Sequence, residues 1–315
     1  MRINGHYVDV DIAEELEMYT DEFKRMRIRG NKLQACSPFR HENHPSFAVN
    51  LENGTWIDSG ASDESERKGN FISLLAFFRN ESYEETAEYL LDKYSTLLNE
   101  VDGLKLKINL GVEEKREFNA DVVLNEAYPV SEYLDKRGVD FGVQKVFNVK
   151  QINNAVAMAW HDKTGKIINV KYRDTRTKKF WYEDGGELIS NHIYGLWLIR
   201  KQNIKRVWAV ESEIDCLYLW SLNIPAIAFG HGAITDKQKT LLINSGIEEL
   251  VIATDNDTVG HRFAEVLIDE FAGWFSLYRL SFPENVKDVN EMSIEQIEEA
   301  TSRLRSTVPF GFSLK

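Results

Sequence analysis

Val207-Trp208-Ala209-Val210-Glu211 and, further along, Leu250-Val251-Ile252-Ala253-Thr254-Asp255-Asn256-Asp257 are two short apolar runs that each end in carboxylates. Uninterrupted runs of this kind read as strands of a parallel sheet buried on both faces, and ligands gather at the carboxyl ends of such strands. Outward from them the pattern alternates: strand 207–210, helix 214–222, strand 224–228, helix 235–244, strand 249–253, helix 260–271 and strand 276–280. This βαβαβαβ order predicts a mostly parallel sheet with right-handed crossovers, and Thr235 with Gln238 makes a capping-box pattern. Glu211, Asp255 and Asp257 at two adjacent strand ends would repel one another unless a hard cation such as Mg²⁺ neutralised them. That points to phosphoryl chemistry.

At 315 residues and 43% hydrophobic, the chain has room for two or three domains and a sizeable core. No apolar stretch has the length of a membrane span, and Met1-Arg2-Ile3-Asn4 opens no signal-peptide pattern; a cytoplasmic location without a membrane partner is expected. Cys36 and Cys216, far apart in sequence, fit a reducing compartment. A net charge of −12 argues against nucleic acid if taken globally, yet residues 131–180 carry eleven Lys and Arg against five Asp and Glu. A basic segment inside an acidic chain can bind phosphates, or be an ordinary solvated face.

Upstream, Val10, Ile12, Leu16, Tyr19 and Phe23 predict helix within 8–28. Strand-like pieces follow around 33–36, 46–49 and 55–57, then helices near 70–78 and 83–94. Residues 99–118 are charged and weakly patterned, as a linker would be. Beyond it come a helix around 130–137 and strands near 155–160, 167–173 and 180–182, the first two joined by the hairpin Asp162-Lys163-Thr164-Gly165. Lys171 and Arg173 alternate on one strand face and would project together.

Glu211-Ser212-Glu213-Ile214-Asp215, Phe229-Gly230-His231-Gly232 and Asp255-Asn256-Asp257-Thr258-Val259-Gly260 resemble the Toprim domain of DnaG-type primases, topoisomerases and some nucleases, with Ser212 where a Gly is usual. By that resemblance Asp255 and Asp257 bind Mg²⁺ or Mn²⁺, and Glu211 is a ligand or general acid/base. Lys287-Asp288-Val289-Asn290-Glu291 resembles the acidic stretch closing the primase version, making Asp288 a further ligand, with Asn290 in place of an Asp. Asp215 is either a ligand, an orienter of a lysine, or simply part of a helix start.

The resemblance to DnaG-type primases continues through Tyr133-Leu134-Asp135-Lys136-Arg137-Gly138, Gly165–Arg173, Lys178-Lys179-Phe180-Trp181 and Tyr194-Gly195. It implies that Arg137, Lys171, Arg173, Lys178 and Lys179 hold nucleic-acid and nucleotide phosphates. Cys36-Ser37-Pro38-Phe39-Arg40 and Pro45-Ser46-Phe47 resemble the family's zinc ribbon, but its ligand positions fall on Ser37, Arg40, Asp58 and Ala61. No zinc is expected, since structural zinc needs four ligands, and an offset site of Cys36, His41 and His44 lacks a fourth. Phe39, Phe47 and Trp56 would hold such a module instead.

The fold expected is therefore α/β, α+β overall: a Toprim-like mostly parallel sheet with flanking helices, preceded by a basic mixed α+β subdomain and a small zinc-ribbon-like domain lacking zinc. The boundaries are 1–98 for the ribbon, 99–118 for the linker, 119–203 for the basic subdomain, 204–285 for the Toprim domain and 286–315 for a helical, acidic end. The implied function is RNA primer synthesis on a single-stranded DNA template from NTPs with two Mg²⁺ or Mn²⁺ ions. A replicative helicase acting in trans is the further partner expected, and the length suggests a bacteriophage or mobile-element protein working in the host cytoplasm, or a truncated chain. A metal-dependent Toprim nuclease and a non-catalytic single-stranded-DNA-binding protein are the alternatives.

Overall fold

Two compact units, residues 1–116 with 176–180 and residues 117–175 with 181–315, make up the chain. The computed structural model describes residues 1–61, 67–95, 118–230 and 232–307.

The first unit opens with β1 (Arg2–Ile3) and β2 (His6–Tyr7), then α1 (Ile12–Glu17). Its sheet runs β3 (Arg27–Arg29), β4 (Lys32–Ala35), β5 (Phe47–Asn50), β6 (Trp56–Asp58), β7 (Lys68–Gly69), every neighbour antiparallel. Helices α2 (Phe71–Arg79) and α3 (Tyr83–Ser95) follow. Strand alternation buries Leu33, Ala35, Phe47, Val49, Trp56 and Asp58 on one face. There the rings of Phe39, Phe47 and Trp56 meet at centroid distances of 5.7, 5.1 and 5.6 Å, contacts that add roughly 0.5–1.5 kcal/mol each beyond burial. Helix α2 begins where Asn70 accepts from the Ser73 N–H at 2.9 Å and stops at Asn80, which is left-handed with φ 58°.

The helix expected within 8–28 is much shorter. Val8, Val10 and Ile12 are all buried, but their spacing of two is that of extended chain; Asp11 caps α1 by accepting from the Glu14 N–H at 3.0 Å. A 3₁₀ turn at Thr20–Glu22 and a left-handed Arg25 (φ 57°) then release the chain into β3, which pairs with β4.

The second unit begins with α4 (Asp121–Leu124), α5 (Glu132–Asp135) and α6 (Phe141–Val146), none of which exceeds six residues. An antiparallel sheet follows in the order β11 (Phe180–Tyr182), β10 (Ile167–Asp174), β9 (Ala155–His161), β8 (Val149–Ile152). At the β9–β10 turn Asp162 Oδ1 accepts from the N–H groups of Thr164 and Lys166 at 2.8 and 3.1 Å, and Gly165 takes φ +95°. Helix α7 (Leu196–Gln202) leads into β12 (Arg206–Val210), α8 (Glu213–Ser221), β13 (Ala226–Ala228), α9 (Asp236–Ile243), β14 (Glu249–Ile252), α10 (Thr258–Phe271), β15 (Ser276–Arg279), α11 (Ile294–Ser302) and β16 (Arg305–Ser306). The expected linker lies, up to residue 117, outside the described residues.

This second sheet is ordered β13–β12–β14–β15–β16, parallel throughout except for the antiparallel edge β16. Both faces are buried, as the apolar runs require. Val207, Ala209, Leu250, Ile252 and Leu277 pack with Phe263, Leu267 and Phe271 of α10, while Trp208, Val210, Val251 and Ala253 pack with Ile214 and Leu217 of α8. Each fully buried side chain of this size contributes about 1.5–3 kcal/mol, so truncating Phe271 to Ala would cost roughly 3–5 kcal/mol. The register Ala209↔Ile252 places the ends of β12 and β14 side by side.

Candidate active site at the ends of the parallel strands

Glu211 is the first residue after β12, and its backbone carbonyl accepts from the Gly230 N–H at 2.9 Å. Its Oε1 accepts from the backbone N–H of Asp255 at 2.9 Å, so the two strand ends are bonded to each other through a carboxylate. Asp257 caps α10, accepting from the Gly260 N–H at 2.9 Å, and its Oδ2 lies 3.2 Å from Lys287 Nζ. Gly260 has no space for a side chain: a Cβ would sit 2.1 Å from the Asp255 carbonyl oxygen and 2.7 Å from Glu211 Oε1. The glycine lets the helix start press against both strand ends.

Asp215 sits in the first turn of α8, where Ser212 caps the helix and its hydroxyl donates to Asp215 Oδ2 at 2.6 Å. Asp288 caps the short 3₁₀ turn Val289–Glu291, accepting from the Glu291 N–H at 3.0 Å. Asn256, in the middle of the Asp-x-Asp, clamps this segment to the β14 end. Its N–H reaches the Lys287 carbonyl at 2.6 Å and its Nδ2 the Val286 carbonyl at 2.9 Å.

Burial and mutual repulsion dominate the electrostatics. Burial pushes Glu211 up to about 7, opposed by the Asp255 N–H and reinforced by the Asp257 and Asp215 charges. Asp215 also rises to about 7, through burial and the Asp288 charge. Asp255 is raised well above the usual carboxylate range by burial and then by Glu211, Asp215, Asp257 and Asp288; Asp288 is raised by burial and Glu291. Asp255 thus feels the charges of the four other expected carboxylates, and Glu211 and Asp215 each feel at least one of them. Among the described residues no group of three or more His, Cys, Asp or Glu side chains is arranged to hold a metal ion as it stands. The donors themselves suit a hard divalent cation: they are all carboxylate oxygens, and the charges of the set oppose ionisation of Glu211, Asp215 and Asp255. Asp257 would have to leave Lys287 to join them.

The expected phosphate-binding residues fare differently from one another. Arg173 is mostly buried and its Nε has no hydrogen-bond partner; burial, with the neighbouring Arg137 charge, lowers its pKa while Glu213 and Asp215 oppose the change. Arg137 donates from Nε to Asn290 Oδ1 at 2.8 Å, and Asn290 Nδ2 returns a bond to the Arg137 carbonyl at 2.7 Å. The Asn found in place of an Asp therefore orients an arginine. Lys171 does share a strand face with Arg173, but it is only 1% exposed and its Nζ lies 2.9 Å from Glu213 Oε1. It cannot reach a phosphate without breaking that pair, because Glu213, absent from the expected set, consumes its charge. Lys178 Nζ is 2.9 Å from Glu22 within the first unit, and Lys179 belongs to the same unit with its N–H on Thr177 Oγ1 at 3.2 Å.

Residues 208–293, which contain every one of these carboxylates, match the family model described as Toprim-like. The chain carries a Toprim-like core and is related to DNA primases. The DNA primase of Clostridium acetobutylicum is 23% identical over 348 aligned residues, covering 93% of this chain and 57% of that protein. The DNA primase of Helicobacter pylori strain J99 is 26% identical over 156 residues, covering 47% of this chain and 25% of the relative. The chain thus spans little more than half the length of the first of these relatives. Among solved structures it is similar to the zinc-binding and RNA polymerase domains of the Aquifex aeolicus primase, with 20% identity and a TM-score of 0.48 over 94% of this chain and 82% of that one. No helix among the described residues is long and apolar enough to cross a membrane.

Proposed function

We propose that the chain is a DNA primase, making short RNA primers on single-stranded DNA from nucleoside triphosphates. One observation carries the reading: similarity to a protein named DNA primase extends over 93% of the chain, taking in the basic antiparallel sheet as well as the carboxylates. Phosphodiester cleavage by a Toprim nuclease would need only the carboxylates.

Mg²⁺ or Mn²⁺, two ions held by Glu211, Asp255 and Asp257 with Asp215 and Asp288 beside them, would neutralise charge on the attacking and leaving oxygens. The chain's own groups do the rest. Glu211, bonded through Oε1 to the Asp255 N–H, would act at the strand tip as a ligand or as a general acid/base. Arg173 offers the buried, unpartnered Nε that a triphosphate oxygen would satisfy, and Asn290 holds Arg137 in a fixed orientation. In the first unit the strand register sets Arg27, Arg29, Lys32 and Lys68 on the face opposite Phe47 and Trp56, a cationic surface suited to a single strand. A replicative helicase acting in trans would bring the protein to its template in the cytoplasm, the host's if the chain is phage-encoded.

Incubating the full chain with single-stranded DNA, labelled ATP and GTP, and Mn²⁺ tests the reading. Labelled oligoribonucleotides are the expected product. Shortened DNA would replace the proposal with a nuclease, and retardation of the DNA without either product would leave a binding protein.

A further inference from the structure

Ser37, Arg40, Asp58 and Ala61, the four positions where the resembled ribbons carry zinc ligands, come together at one end of the β5–β6 pair. Ser37, Asp58 and Ala61 are buried, Asp58 to 1% exposure. Arg40 grips Asp58 bidentately: one guanidinium nitrogen bonds Oδ2 and the other lies 2.8 Å from Oδ1. That second nitrogen also donates to Glu42 Oε2 at 2.8 Å and to Ser46 Oγ at 2.9 Å. Ser46 Oγ bonds Glu42 Oε1, which in turn accepts from the Ser37 N–H at 2.6 Å. On the other strand, Asp58 Oδ1 accepts from the Gly60 N–H at 3.1 Å, and the Asp58 carbonyl from the Ala61 N–H at 3.3 Å.

The fit is tight. A Cβ on Gly60 would stand 2.2 Å from the Arg40 nitrogen, so the turn closes directly over the guanidinium. Each turn of a zinc knuckle normally folds around the metal; here each folds around the same planar cation, whose donors are divided between carboxylates from both sides. The electrostatics agree: burial disfavours ionised Asp58, yet the Arg40 bonds hold its carboxyl below the usual range. Cys36 is buried while His41 and His44 are exposed, and among the described residues no three His, Cys, Asp or Glu side chains are grouped to hold a metal ion.

We propose that the Arg40 guanidinium stands in the place of the ribbon's structural metal, so that a charge-assisted hydrogen-bond knot closes the module and zinc supply or thiol oxidation has no hold on its folding. The inference concerns the first unit alone and stands apart from primer synthesis.

The test uses the full chain purified from zinc-supplemented medium, reading metal content and hydrogen exchange at the Gly60 and Ala61 amides with and without chelator. Expected are far less than equimolar zinc, exchange indifferent to chelator, and exchange accelerated about tenfold or more in Asp58→Asn. Equimolar zinc, chelator-accelerated exchange or an Asp58→Asn variant with unchanged exchange would overturn the proposal. The combined variant Ser37→Cys, Arg40→Cys, Asp58→Cys, Ala61→Cys provides an independent reading. It is expected to take up zinc in equimolar amount and to become chelator-sensitive at the same amides; failure to bind zinc would show that these positions do not frame a metal-sized space.

Discussion

Lys171 Nζ lies 2.9 Å from Glu213 Oε1 and 3.1 Å from Glu213 Oε2, and the same carboxylate accepts from Trp160 Nε1 at 3.0 Å. The trio joins β9 and β10 to the first turn of α8, two residues from Glu211. Removing one member of a buried pair strands the other charge, at roughly 3–5 kcal/mol. Lys171→Met should lose about that much stability in urea unfolding, and Lys171→Met with Glu213→Gln should regain most of it. Additive losses would mean the pair is not a unit.

Asp255 is the carboxylate most opposed by its neighbours. Asp255→Asn should therefore raise stability in EDTA at neutral pH by about 1–3 kcal/mol, while abolishing the melting-temperature increase that Mn²⁺ gives the unaltered chain. A variant less stable than the parent in EDTA, with its Mn²⁺ response intact, would contradict the arrangement.

Gly260 is in a normal helical start, so its requirement is space and not conformation. Gly260→Ala must push the Asp255 carbonyl and the Glu211 side chain aside. The expected result is a loss of about 1–3 kcal/mol with primer synthesis falling further than stability alone explains. Unchanged melting and activity would show that the helix start is free to move.

His161 gives the second unit a pH dependence. Its Nε2 lies 3.2 Å from Asn148 Oδ1, its ring is 5.1 Å from that of Trp197, and burial lowers its pKa from 6.5 to about 4. Between those values the unfolded chain binds a proton that the folded chain refuses. Stability from this group is therefore complete above about pH 6.5 and falls as pH drops towards 4, by on the order of 3 kcal/mol in all. Over the same range the raised carboxyls of Glu211, Asp215 and Asp255 act in the opposite sense. The His161 contribution is therefore read as the difference between the unaltered chain and His161→Gln in urea unfolding between about pH 7 and pH 4.5, which should grow in favour of the variant as pH falls. An equal slope in the variant would assign it elsewhere.

The parallel sheet was legible because continuous apolar runs ending in carboxylates fit few other arrangements. Each strand and helix from 204 to 280 lies within a few residues of its expected place. Short elements escaped: α6, β8 and α7 hold too few periods to stand out, and β8 is recognisable only through its pairing with β9. The helix expected within 8–28 shrank to α1 because its apolar spacing mixes two periods. At the site, Glu211, Asp255 and Asp257 could be named from the strand-end pattern, and Asp215 and Asp288 only through the resemblance, while their neighbours could not be named at all. Lys171 and Arg173 share a strand face in sequence and in structure, yet only three-dimensional packing shows Glu213 beneath one of them. Asn256 and Asn290 act through hydrogen bonds to distant backbone, which no local pattern reveals. Ser37, Arg40, Asp58 and Ala61 could be singled out in the sequence; the bonds of Arg40 to Asp58, Glu42 and Ser46 could not.

Primer synthesis by Asp255→Ala and Asp257→Ala, measured beside the unaltered chain on single-stranded DNA with NTPs and Mn²⁺, tests the central claim most directly. Product should fall by about a hundredfold or more in each variant, with retardation of the DNA changed by no more than about twofold. Oligoribonucleotide yield equal to that of the unaltered chain in both variants would contradict a carboxylate-borne active site at the ends of β12 and β14.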